Sequence, residues 1–176
     1  MAVSIIIVLN VLIFLYSSIN TILLSKFGLS PIHWNDPFIW FSSMFLHANL
    51  MHIGFNMFAL YDLGTRVEQA FKTSTFLIVY FISGLFASIF TILYFFISHE
   101  NALVIGASGA IFGIWSFYSY LSRDMKNFLT GFAIFHIIIF FLHMPIAWYA
   151  HLGGAIGGLA LAYLQSKKNG FLIYKF

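Results

Sequence analysis

Gly106-Ala107-Ser108-Gly109-Ala110-Ile111-Phe112-Gly113 sets a single hydroxyl among glycines at the head of an apolar run that continues to Leu121. A lone serine in such a run usually bonds back to a carbonyl of its own helix. The flanking glycines change that reading, because a residue without a Cβ lets another backbone come close. A hydroxyl made accessible in this way becomes a candidate nucleophile if a base can reach it. Histidines are the only candidate bases set in apolar sequence.

The chain surrounding this stretch is built for lipid. Of its 176 residues 61% are hydrophobic, 20% aromatic and only 7% charged, against about 25% charged in soluble domains. Mean hydropathy is +0.96. Six stretches come near the length a membrane crossing needs: roughly 3–24, 48–64, 74–97, 103–121, 128–142 and 147–164. The expected fold is all-α, a polytopic bundle of six transmembrane helices forming one domain over 1–176, without a second domain or a cleaved signal. With no cysteine there is no disulfide, thiolate metal site or cysteine nucleophile. The formal charge of +3 forms no basic patch interleaved with aromatics, so a nucleic-acid partner is not expected.

Lys and Arg placement sets the expected orientation. Arg66 and Lys72, then Arg123 and Lys126, then Lys167, Lys168 and Lys175 fall on one side, and Lys26 alone on the other. The positive-inside rule places both termini in the cytoplasm. The long loop 25–47, rich in aromatic residues, then lies along the outer interface. Ser108 and His151 start a few residues inside their segments from the outer face, at a similar depth of about 6–8 Å. His52 and Asn56 enter from the same side. Polar groups inside spans are functional candidates by default. Gly109 and Gly113 form a small-xxx-small pair beside Ser108. Gly154 and Gly158 form another beside His151, and such faces allow close helix approach.

This set suits acyl transfer. Neutral imidazole can take a serine proton and return it to a leaving amine. The oxyanion that forms needs donors. The Asn56 amide and a His52 N–H share a helix face at i, i+4, and the Ser108 backbone N–H is free in a first helical turn. His47 and His52 stand about 140° apart around a helix, which is not the i, i+4 pattern of helical zinc ligands. No metal and no cofactor is expected. His47 reads as bracing the loop by a hydrogen bond. His33, His99, His136 and His143 show no partner pattern and read as interface or packing residues. None of Asp36, Asp62, Glu68, Glu100 and Asp124 falls in the outer half of a span, so a Ser–His dyad is expected rather than a triad with an acid.

At these residues the chain resembles the rhomboid family of intramembrane serine proteases. The resemblance rests on His47-Ala48-Asn49-Leu50-Met51-His52 with Asn56, on Gly64-x-x-x-Glu68, on Gly106-Ala107-Ser108-Gly109, and on Ala150-His151 with Gly154 and Gly158. It implies Ser108 as nucleophile and His151 as base, with oxyanion roles for His52, Asn56 and the Ser108 backbone. It implies Phe112 packed on the His151 ring, Gly106, Gly109, Gly154, Gly158 and His47 in support, and the turn 143–146 as a cap. Phe38-Ile39 stand where many members carry Trp-Arg. The implied activity is endopeptidase cleavage of single-span membrane proteins near the outer face, in the bilayer, with a prokaryotic plasma membrane as the expected location. The alternatives are an inactive rhomboid-like protein that binds membrane clients, and a small transporter. Inactive relatives typically lose the Ser or the His. A transporter would more often show intramembrane charge or paired repeats.

Overall fold

The starts of the helices Pro37–Ser42 and Leu50–Ala59 are marked by capping residues, and that of the first also by proline. The computed structural model describes residues 1–169; Lys175 lies outside the described residues. The helices are α1 (Ala2–Ile19), α2 (Ile22–Phe27), α3 (Pro37–Ser42), α4 (Leu50–Ala59), α5 (Thr65–Ser98), α6 (Ser108–Leu121), α7 (Met125–Phe141) and α8 (Trp148–Asn169). Asp36 accepts the Phe38 N–H at 2.9 Å ahead of α3, whose first residue is Pro37. Asn49 accepts the His52 N–H at 2.9 Å ahead of α4. These side chains satisfy donors that a helix start leaves free. No strand forms among the described residues, only an isolated antiparallel bridge between Leu29 and Val104.

Three helix boundaries differ from the expected runs. The first helix stops at Ile19 rather than near Leu24, because Asn20 leaves the helical region at φ −124° and ψ 80°. The second does not end near Gly64. It passes through a π turn at Leu60–Gly64 into α5, and the backbone breaks only at Lys72, with φ 73° and ψ 159°. Hydropathy falls at Asp62, Arg66 and Glu68, but these charges are satisfied in place. Arg66 pairs with Asp62 at 2.7 Å, one turn away. The fourth helix begins at Ser108, not near Leu103. Val104 exchanges hydrogen bonds of 2.8 and 3.0 Å with Leu29, and Gly106 takes φ 124°, so the segment before Ser108 cannot be helical.

Glu68 explains part of the fold directly. It is buried, and its carboxylate accepts the Ala2 N–H at 2.7 Å, the Val3 N–H at 3.2 Å and the Thr73 hydroxyl at 2.8 Å. An acid at a helix N-terminus answers free donors and the helix dipole together. Glu68→Gln removes the charge and one acceptor. It is expected to cost about 1–3 kcal/mol, read as a lower midpoint of thermal unfolding in detergent. An unchanged midpoint would remove Glu68 from the account of how α1 is held.

The centre of the bundle is α5, α6 and α8, and its close packing comes from glycine. A Cβ on Gly154 would run into the Gly109 carbonyl, and one on Gly158 into the Gly113 carbonyl. A second glycine face on α8, Gly153 and Gly157, fits against Phe86 and Phe90 of α5. Lipid tails are as apolar as leucine, so van der Waals contact rather than water exclusion drives this association. Ser116 adds a hydrogen bond of 2.8 Å to the Ala155 carbonyl across the α6–α8 seam. By contrast α7 buries only Phe128. Ile97, Phe140 and Phe141 are exposed on the surface, which suits acyl chains. By length and apolarity alone, Ala2–Ile19 and the stretch Leu50–Ser98, which is broken at Lys72, are long and apolar enough to cross a membrane among the described residues.

Candidate active site

The start of α6 is shaped around a histidine ring. Gly106 donates its N–H to the Ser43 carbonyl at 2.8 Å, and a Cβ on it would stand 2.7 Å from His52 Nε2. Only glycine combines φ 124° with that closeness. Ser108 follows as the first residue of α6, one turn shallower than the sequence depth arithmetic placed it. The first helical hydrogen bond runs from the Ile111 N–H to the Ala107 carbonyl at 3.0 Å. The N–H groups of Ser108, Gly109 and Ala110 precede it, in the position where a helix start offers donors to a ligand.

His151 reaches Ser108 from α8. The Ser108 Oγ lies 2.8 Å from His151 Nε2, across 43 residues of sequence. The Gly109–Gly154 contact is what permits it, since any side chain there would force the two helices apart. Phe112, one turn along α6, stacks on the His151 ring at 4.4 Å between centroids and 30° between planes. His151 is buried, with Phe112 on one face and α7 beyond it.

His52 and Asn56 stand on α4 beside this pair and border the same groove. His52 Nδ1 accepts the Ala48 N–H at 3.4 Å, which leaves the ring proton on Nε2, the atom facing Gly106. The Asn56 amide donates one hydrogen to the His52 carbonyl at 2.8 Å and keeps its second. His47 differs from expectation. It is fully buried, yet neither ring nitrogen makes a hydrogen bond among the described residues, although the Phe45 backbone lies near it. It packs edge-on against His52 at 5.0 Å between ring centroids.

One residue of the constellation was missed by sequence reasoning. His136, on α7, places its Nε2 3.0 Å from His151 Nδ1, and its Nδ1 2.8 Å from the Phe132 carbonyl. The only signal was depth. His136 lies five residues before the end of α7 and His151 three residues after the start of α8, about 8 and 5 Å from neighbouring helix ends. The acids stay away from His151: Asp36 caps α3, Asp62 pairs with Arg66, Glu68 holds α1, and Glu100 and Asp124 sit at helix ends.

An open groove of about 1700 Å³ runs beside the Ser108–His151 pair. Its lining includes Phe55 and Phe58 of α4 and Phe135 and Ile138 of α7. Met144 and Ile146, from the turn before α8, also line it. Phe38 rests edge-on against Phe27, while Ile39 is buried with Leu29, Ile92 and Phe95. The segment before α4 is therefore tied to α5 by apolar contacts at Ile39, while Phe38 packs on α2.

Residues 34–168 match the family profile described as the Rhomboid domain, a range that contains every residue of this site. The chain is 32% identical over 125 residues to the rhomboid protease GluP of Bacillus subtilis, covering 66% of this chain and 24% of that protein. It is 27% identical over 132 residues to the putative rhomboid protease YdcA of the same organism, covering 70% and 65%. Rhomboid-like protease 3 of Toxoplasma gondii is 29% identical over 136 residues, covering 71% and 50%. Relatives from Arabidopsis thaliana also match, so these similarities do not single out a prokaryotic source. The chain spans about half or less of the length of most of the curated relatives it matches.

Proposed function

Because the chain belongs to the rhomboid family, we propose that it is an intramembrane serine endopeptidase, cutting single-span membrane proteins near the outer face by a Ser108–His151 pair. The observation that carries this is the 2.8 Å contact between Ser108 Oγ and His151 Nε2 inside a helical bundle suited to lipid. An inactive client-binding protein would not need that contact, and here nucleophile and base are already in hydrogen-bond reach.

Ser108 Oγ attacks the scissile carbonyl carbon as its proton passes to His151 Nε2. The oxyanion is met by the backbone N–H groups at the start of α6, by His52 Nε2–H and by the second Asn56 N–H. Collapse breaks the C–N bond, and His151 gives its proton to the leaving amine. Water, deprotonated by His151, then hydrolyses the acyl-enzyme. The substrate helix must unwind first, because helical carbonyls in lipid are already bonded. The groove between α4 and α7 gives a segment of that kind an entry from the bilayer. With Arg66, Lys72, Arg123, Lys126, Lys167 and Lys168 facing the cytoplasm, the site opens outward, where water is available.

The test is a serine-directed fluorophosphonate applied to the purified chain, together with a single-span substrate in liposomes. Labelling at Ser108 and cleavage near the outer end of the substrate are expected. A folded chain that neither labels nor cleaves would overturn the reading. A further expectation concerns the oxyanion. Removing one donor costs about 10²–10³ in turnover, so Asn56→Ala should lower kcat on that scale with little change in KM. A variant with wild-type kcat would take Asn56 out of the mechanism.

A further inference from the structure

We propose that His136 is a positioning residue that fixes the tautomer and orientation of His151, so that the site works as a Ser108–His151–His136 relay with a neutral imidazole in the place of an acid. The proposal rests on the serine-protease reading above for its kinetic consequences, but not for its structural core.

The argument starts at a backbone carbonyl. The Phe132 oxygen can only accept, and it lies 2.8 Å from His136 Nδ1, so the His136 proton sits on Nδ1. In a neutral ring the other nitrogen is then an acceptor. His136 Nε2 is that nitrogen, and it faces His151 Nδ1 at 3.0 Å. The hydrogen of this bond must therefore come from His151 Nδ1. That in turn leaves His151 Nε2 unprotonated, and this is the atom 2.8 Å from Ser108 Oγ. One carbonyl on α7 thus specifies two tautomers in series and ends on the form able to accept the serine proton. A second-ring partner that sets the reactive nitrogen in this way is a general device of histidine chemistry.

The surrounding rings hold the relay in place. Phe112 lies against both histidines, with centroids 4.4 Å from His151 and 5.6 Å from His136. Phe132 packs on His136 at 4.2 Å. When His151 takes the serine proton, its Nδ1–H remains bonded to His136 Nε2, and His136 keeps its own Nδ1–H on the Phe132 carbonyl. No proton is lost from the pair, and the one on Nε2 goes on to the leaving amine. A carboxylate in the same position would carry a full charge into an apolar bundle, where its desolvation opposes it. A neutral imidazole provides the acceptor without that charge.

Two replacements separate positioning from packing. His136→Phe keeps the ring and removes the acceptor. His136→Gln keeps an acceptor oxygen near the position of Nε2. With ¹⁵N-labelled histidine in micelles, His151 is expected to show a protonated Nδ1 and an unprotonated Nε2 in the wild type and in His136→Gln, and a mixture in His136→Phe. Fluorophosphonate labelling and kcat should fall about 10²-fold in His136→Phe, the lower end of what a positioned acid–base group supplies. KM should be unchanged, and His136→Gln should recover most of the loss. Wild-type His151 found protonated on Nε2, or a His136→Phe variant with wild-type labelling rate and a pure Nδ1–H tautomer, would overturn the proposal. A wild-type chain that shows the expected tautomers but never labels or cleaves would sink the protease reading and uphold the relay.

Discussion

Ser108→Ala is expected to take cleavage and fluorophosphonate labelling below detection while leaving the fold intact. Loss of the nucleophile in a serine hydrolase costs about 10⁶ in kcat. Its effect on stability should be small, because Ser108 is only half-buried and its hydroxyl bonds to nothing but His151. Alanine also suits the first position of a helix. His151→Ala should lose as much, since serine and histidine act as one unit. The double variant should therefore be no worse than either single one. Turnover of one substrate, measured beside thermal unfolding midpoints for the three variants, decides the matter. A purified Ser108→Ala protein that folds normally and still cleaves at more than about a hundredth of the wild-type rate would remove Ser108 as nucleophile.

The second large effect is expected at a residue that makes no side-chain contact of its own. Gly154→Val places a branched side chain where the Gly109 carbonyl already stands. The obstacle is backbone, which cannot swing aside as a side chain end can, so α8 must move away from α6. That movement carries His151 away from Ser108. A displacement of about 1 Å at reacting groups can cost 10²-fold in rate, and overpacking typically costs about 1–3 kcal/mol. Gly154→Val should therefore lose at least about 10² in kcat and unfold at lower temperature. The control is Gly54→Ala on α4, where a Cβ would meet nothing within 4 Å. It should be neutral, or stabilising by about 1 kcal/mol from helix propensity. Equal activity in the two variants would mean that the glycine seam does not hold the site.

The seam also shows which parts of the molecule could be read in one dimension. Gly109 and Gly113 share a helix face with each other, as do Gly154 and Gly158, by the helical period alone. A face without side chains has no other obvious use in a bundle than to meet a second one. Ser108 and His151 sit beside those faces, so their meeting followed once the helices were paired. Phe112 followed in turn, one helical step from Ser108. The all-α character was legible on the same ground, because periodicity and hydropathy are local properties of the chain; the rhomboid membership was legible as a resemblance in the motifs around His52, Ser108 and His151.

Boundaries were less legible. Hydropathy treats Asp62, Arg66 and Glu68 as an end, but a helix continues through charges that find partners, and the partner of Glu68 is the start of α1, 65 and 66 residues away. The segment before Ser108 is apolar enough to be helical. It is extended because Leu29 pairs with Val104, and because Gly106 must clear His52.

The sequence by itself determined the helical membrane class, the two glycine faces and the pairing of Ser108 with His151, since each depends on spacing along one helix or on two complementary faces. Only the tertiary structure decided what stands behind His151. His136 has only apolar neighbours at helical spacing along α7, and whether its ring meets His151 depends on how α7 leans on α6. That lean is set by Phe112, Phe132 and Phe135 packing on one another across the helices, a contact geometry no local pattern encodes.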